Sequence, residues 1–269
     1  MSFVLLRRAV ADRKRWLVGW GLGIAAYLVL NIVFYPSVRD QSDEMNKVFD
    51  NLPESVRSLI GFGSGVDPFS PVGYLSSQVY QLALPLLLLI AGISVAGSLA
   101  GDEEHGLLET TYSLPVSRRR VLAERFGAIG ILVTTLSAIG FVATAATAVA
   151  VDLGVGLGAM AWASVAVTVL ALAVASFTLA VGALTGRRAV AVSTAAAAAV
   201  AGYLITSLGD AGIEVFRTLR PLSVFSHYDV LEALQTGRPS WSLLVLVVVA
   251  VVSLAVAVVA LDRRDLRNA

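Results

Sequence analysis

The sequence predicts an all-α integral membrane protein with six transmembrane helices and both termini in the cytoplasm. Three observations carry this. The 269 residues are 57% hydrophobic and only 14% charged, with a mean hydropathy of +0.80, far from the balance of a soluble domain. Six runs are long and apolar enough to cross about 30 Å of hydrocarbon as helices, which takes roughly 20 residues each. The basic residues between those runs alternate between crowded and sparse segments, as positive-inside insertion requires.

The runs are 16–35, 80–100, 126–151, 160–184, 189–208 and 241–261, each bounded by charge, glycine, proline or an interfacial aromatic. With the N-terminus inside, the inner segments hold 14 of the 20 lysines and arginines and the outer segments 6. The whole chain is thus one membrane domain, residues 1–269.

Taken in order, residues 1–15 read as an interfacial helix. Phe3, Val4, Leu6 and Val10 share one side, and basic residues occupy much of the rest. The first run follows Arg13, Lys14 and Arg15 but is too long for a signal peptide, and "NIVFYPS" offers no small-x-small cleavage pattern, so it is read as retained. The outer segment 36–78 contains Met45, Val48, Phe49 and Leu52, then Val56, Leu59 and Ile60, at helical spacing on either side of Pro53. Short amphipathic helices on the outer membrane face are expected there. Pro85 should kink the second run. Gly154–Gly158 ("GVGLG") lies between two runs with no strand before it, and reads as an outer turn rather than a nucleotide loop. Alanines 195–199 with Gly202 suggest close helix packing.

Several chemistries are excluded. There is no cysteine, hence no disulfide or thiolate site. His105 and His227 fall on opposite sides of the membrane, so no metal site is expected and no catalytic residue is assigned. The only lysines are Lys14 and Lys47, neither of which belongs to a phosphate-cradling Gly-Lys pair, so this chain should not hydrolyse ATP by that route. The apolar runs contain no Asp, Glu, Lys, Arg or His. Ion-coupled carriers usually keep an ionisable group at that depth, which disfavours a secondary carrier or channel. Among the polar residues that remain, Gln81, Ser94, Ser98, Ser193 and Thr194 are the candidates for a substrate path, although such groups more often bond between helices.

The connection 102–120, "DEEHGLLETTYSLPVSRRR", is the one concentration of charge. Its arginines suit positive-inside anchoring. Its acidic first half does not, nor does a short helix of Gly106, Leu107, Leu108, Thr111 and Tyr112 with an apolar face. Pro115 should end that helix and Ser117 should cap the next.

This segment resembles the loop between the second and third spans of type-two ABC exporter permeases, which carry a motif like E-E-x-G-T-L-E-x-L-L-S-x-P-V-S-R. Here it stands as Glu103, Glu104, Gly106, Leu107, Leu108, Glu109, Ser113, Pro115, Val116, Ser117 and Arg118. The preceding "SPVGYLSSQVYQLALPLLLLIAGISVAGSLAG" is similar to the family's second span and the approach to it. Leu107 stands where the family commonly has Thr, and Thr111 and Tyr112 replace paired leucines, which makes the face more polar.

The resemblance implies a multi-pass permease of the cell membrane whose coupling helix seats in a cytosolic ATPase. Glu103, Glu104, Gly106, Leu107, Leu108, Glu109, Tyr112, Pro115, Ser117 and Arg118 would form the docking element. It further implies two ATPase copies carrying ATP-Mg, no cofactor in this chain itself, and a second permease, either a copy or a relative. Membrane lipid surrounds the assembly and no nucleic acid is involved. The uncharged interior suits an apolar or amphipathic cargo such as a drug, antibiotic or lipid. A secondary carrier, a channel or a non-transporting membrane anchor is the alternative reading.

Overall fold

A computed structural model of the chain describes residues 4–42, 44, 46–47, 51–53, 56–57, 66–104 and 117–263. Among the described residues there is no strand, and six helices are long and apolar enough to cross a membrane. They are Lys14–Asp40, Pro71–Asp102, Arg119–Ala150, Leu157–Thr185, Arg188–Asp210 and Leu243–Arg263, called here the first to sixth spans.

The second and fourth spans are the most buried, while the first, fifth and sixth expose most of their length to the surroundings. The fourth packs against the second, third, fifth and sixth. It can do so because its contact faces are small: Ala163, Ala166, Ala171, Ala173, Ala175 and Ala183 are all buried. Without a hydrophobic force between helices in lipid, close approach of small side chains supplies the van der Waals contact that holds a bundle. The first span buries one stripe, Gly21, Ile24, Leu28 and Ile32, at helical spacing against the third span. Its other face, with Val18, Leu22, Leu30 and Phe34, is exposed as a lipid-facing side should be.

The second span begins at Pro71, nine residues before the apolar run suggested. Ser76 and Ser77 hide its first turns from a hydropathy reading, yet their polar groups are satisfied internally. Ser77 Oγ donates to the Gly73 carbonyl at 2.8 Å and Gln81 Nε2 to Ser76 Oγ at 2.9 Å. Ser70 caps the start, accepting from the Gly73 N–H at 3.1 Å. Gly73 is required there, since a Cβ would lie 2.0 Å from the Asp67 carbonyl oxygen. Two tyrosines stack beside this cap with ring centroids 4.9 Å apart. Tyr35 donates to the Phe69 carbonyl at 3.2 Å and Tyr74 to the Asn31 carbonyl at 2.8 Å, tying the outer ends of the first two spans together.

Pro85 acts through register. Leu75–Ala83 is a π-helix, and the Leu84 N–H donates to the Val79 carbonyl five residues back. The next carbonyl in that register, that of Tyr80, would accept from residue 85, which is proline and has no N–H. The Tyr228 hydroxyl supplies the missing donor.

Tyr228 lies outside the six spans. Between the fifth and sixth spans the chain forms a short helix, Glu214–Leu219, two 3₁₀ turns, and a second helix, Val230–Thr236. The last packs on the second and fourth spans and buries Val230, Ala233 and Leu234. Ser223 Oγ donates to the Gly202 carbonyl at 2.8 Å, so Gly202 packs against this segment. Of the alanine run only Ala195 is fully buried, whereas Ala196, Ala197 and Ala198 face outward. The turn between the third and fourth spans contains Gly154 at φ +76°. The amphipathic helices expected around Pro53 lie largely outside the described residues.

Candidate functional site

The connection 102–120 is bracketed by the last turn of the second span and the first turn of the third. Gly106, Leu107, Leu108, Glu109, Tyr112 and Pro115 lie outside the described residues, as do the side chains of Glu103 and Arg118. What the structure establishes is how the two ends of the connection are held.

On the incoming side, the second span reaches the fifth through missing side chains. A Cβ on Gly97 would lie 2.6 Å from Val192 Cγ2, and one on Gly101 3.1 Å from Arg188 Cδ. Gly182 of the fourth span lets Ala100 and Ala191 approach as closely, at 3.3 and 3.6 Å from a Cβ there. This contact sets Glu104 at the start of the fifth span, where its Oε1 accepts from the Arg188 N–H at 3.0 Å. A carboxylate at that point satisfies a first-turn N–H and suits the positive end of the helix dipole. Asp102, two residues earlier, pairs with Arg125 of the third span.

On the outgoing side, Ser117 Oγ accepts from the Arg120 N–H at 3.3 Å, the cap the sequence pattern indicates. Arg119 Nε and Nη2 donate to Asp262 Oδ2 of the sixth span at 2.9 and 2.8 Å. Arg120 Nε donates to Glu124 Oε1 at 2.8 Å. The other Glu124 oxygen accepts from the Leu6 N–H at 3.0 Å, in the first turn of the N-terminal helix Val4–Ala11. Glu124 is only 5% exposed, and its two partners stabilise a charge that would otherwise be costly to bury. The N-terminal helix accordingly lies along the third span, with Leu6 and Val10 turned inward and Arg7 and Arg8 exposed. Phe3 lies outside the described residues.

Arg13 completes the cluster. Burial, and then the nearby Arg125 charge, lower its pKa from the ordinary arginine value, with Asp102 opposing. It remains protonated, because an arginine stays charged in any protein environment. Asp102 therefore sits among Arg13, Arg125 and Arg188, with Asp12 acting more weakly on Arg13.

The five residues taken as a substrate path do not converge within one chain. Gln81 and Ser98 belong to the same span, 17 residues apart, which is about 25 Å of helix rise. Ser98 Oγ donates to the Val95 carbonyl at 2.7 Å near Arg13 and Arg125. Ser94 is half-buried, and Ser193 and Thr194 are exposed on the fifth span. Sequence reasoning missed Glu124 and Asp262: Arg120 is a local i,i+4 partner of Glu124, but the Leu6 N–H that Glu124 also meets and the Arg119 that meets Asp262 are remote in the chain. It also missed Tyr228, although a lone tyrosine after two 3₁₀ turns offers no sequence signal for its partner.

No curated protein matches the chain. A family described as ABC-2 family transporter protein matches residues 4–266, nearly its full length. The chain belongs to the ABC-2 transporter family and is the membrane-spanning permease subunit of an ABC transporter, a multi-pass membrane protein that works with an ABC ATPase.

Proposed function

We propose that this permease is half of the membrane part of an ATP-driven exporter in the plasma membrane. Two permeases and two ATPases form the working unit, and the cargo is an apolar or amphipathic compound moved outward. The termini and the connection 102–120 lie on the cytoplasmic side, where the connection docks to the ATPase.

The observation that carries this reading is the bracing of both ends of the connection. Through Asp102, Glu104, Arg119 and Glu124 it is joined to the third, fifth and sixth spans and to the N-terminal helix. A solvated loop that served only to set topology would not need such ties. A loop that receives a push would, because displacement at the docking face must reach several helices at once. Exposure of Ser193 and Thr194 on the fifth span supports a path completed by a second permease. ATP-Mg would be held by the partner, since this chain has no phosphate-cradling Gly-Lys pair.

The test is copurification of the ATPase with a Leu107→Asp, Leu108→Asp variant. Each leucine buried at a docking face contributes about 1.5–3 kcal/mol, so the variant should insert normally yet lose the ATPase and transport. Arg119→Gln with Arg120→Gln should affect docking less. An active complex recovered in full from the leucine variant would overturn the docking role.

A further inference from the structure

We propose that the groove between the inner ends of the fourth and sixth spans is a binding site for one anionic glycerophospholipid. The groove encloses about 540 Å³ and is lined by Leu184, Val252, Ala255, Val256, Val259, Ala260 and Arg263. Every lining residue except Arg263 is apolar, and Arg263 stands at one end, in the last turn of the sixth span.

Its length fits one leaflet. From Val252 to Arg263 is 11 residues, about 16 Å of helix rise, and half of a hydrocarbon core of about 30 Å is roughly 15 Å. An apolar trough that begins at a cation and stops near the midplane matches an acyl chain beneath a headgroup.

Charge completes the match. Three cations of this layer that lie on the third span have acidic partners: Arg119 on Asp262, Arg120 on Glu124, Arg125 on Asp102. Because Arg119 takes Asp262, that carboxylate is occupied beside Arg263. Among the described residues neither Arg263 nor Arg187 forms an ion pair, and both are exposed. Arg187 follows Leu184 by three residues, just past the Gly186 cap that ends the fourth span. Two unpaired guanidinium groups at the headgroup end select a phosphodiester carrying net negative charge over a zwitterionic one.

The site is independent of the ATPase and can be tested on the purified permease. Native mass spectrometry of the full chain would count lipids retained after addition of phosphatidylglycerol or phosphatidylcholine. The wild type should retain phosphatidylglycerol at least about fivefold better, since each of the two cations contributes about that factor at an anionic membrane surface. Arg263→Gln with Arg187→Gln should bring the two lipids to parity, and Arg263→Lys should keep the preference. Ala255→Trp, which fills the groove from its lipid side, should lower retention of both. Arg8→Gln, on the exposed face of the N-terminal helix, should change nothing. Equal retention of the two lipids by the wild type would overturn the site, as would an unaltered preference in the double arginine variant. A change in dimer fraction with Ala255→Trp, at unchanged lipid retention, would instead assign the groove to a second copy of the chain.

Discussion

The Tyr228 hydroxyl donates to the Tyr80 carbonyl across 148 positions of sequence. It stands in for an N–H that Pro85 removes from the second span. The outer segment between the fifth and sixth spans is thereby tied to the π-helical part of a core helix. Tyr80 in turn donates to the Met160 carbonyl at 3.1 Å and shares a hydrogen bond with Ser164 Oγ at 3.2 Å. One buried chain of hydrogen bonds thus joins the outer segment, the second span and the fourth.

Tyr228→Phe keeps the ring and removes the donor, leaving a buried carbonyl unpaired. The expected loss is about 1–3 kcal/mol of stability, read as a lower unfolding midpoint of the purified protein. Pro85→Ala restores an N–H at residue 85. In that background Tyr228→Phe should cost markedly less, because the helix can satisfy Tyr80 itself. A double-mutant cycle measures the difference, and strict additivity would refute the substitution of one donor for the other.

Six spans were legible because their apolar runs are long and the arginines between them are grouped. The Ser117 cap was legible for a local reason, since a serine before a helical pattern can only bond forward to the next turn. The start of the second span was not, because Ser76 and Ser77 read as a loop until their partners are seen inside the helix. Nor was the bracing of the connection. Leu6 and Glu124 are 118 positions apart and Arg119 and Asp262 are 143 apart. No window of sequence contains either pair. Hydropathy sees how much a segment belongs in lipid, and says little about which polar group in one segment answers another.

Topology can be tested on a clean background, since the chain has no cysteine. A single cysteine at Ser113 should be protected from an impermeant thiol reagent added outside intact cells, and one at Ser42 should react. The reverse pattern would invert the orientation and move the connection away from any cytosolic ATPase.

Glu124→Gln should loosen the N-terminal helix without unfolding the bundle. The carboxylate holds both Arg120 and the Leu6 N–H, and hydrogen bonds to a charged group contribute about 1.5–3 kcal/mol. Hydrogen exchange over Val4–Ala11 should quicken by tenfold or more, while the core of the fourth span keeps its protection. Unchanged exchange at Leu6 would show that packing of Leu6 and Val10 alone holds the helix.

The cluster at the inner end of the second span gives the last prediction. Asp102 pairs with Arg125, and the charges of Arg13 and Arg188 act on the same group of residues. Asp102→Asn would leave three guanidinium groups near one another with less negative charge to offset them, since Glu104 already accepts from the Arg188 backbone and Asp12 acts only more weakly on Arg13. Like charges left without a counter-charge repel, so the variant should unfold at lower temperature than Arg125→Gln, which removes a cation together with the pair. Two treatments should relieve it. Arg13→Gln in the Asp102→Asn background takes away one of the repelling charges and should recover most of the loss. Raising the salt to about 1 M shortens the screening length to roughly 3 Å, and should narrow the gap between Asp102→Asn and wild type. If repulsion is the cause, both treatments work and the arginine substitution alone has little effect on the wild-type protein. A deficit that neither treatment touches would mean that Asp102 matters for the geometry of its bond to Arg125 and not for balancing the cluster.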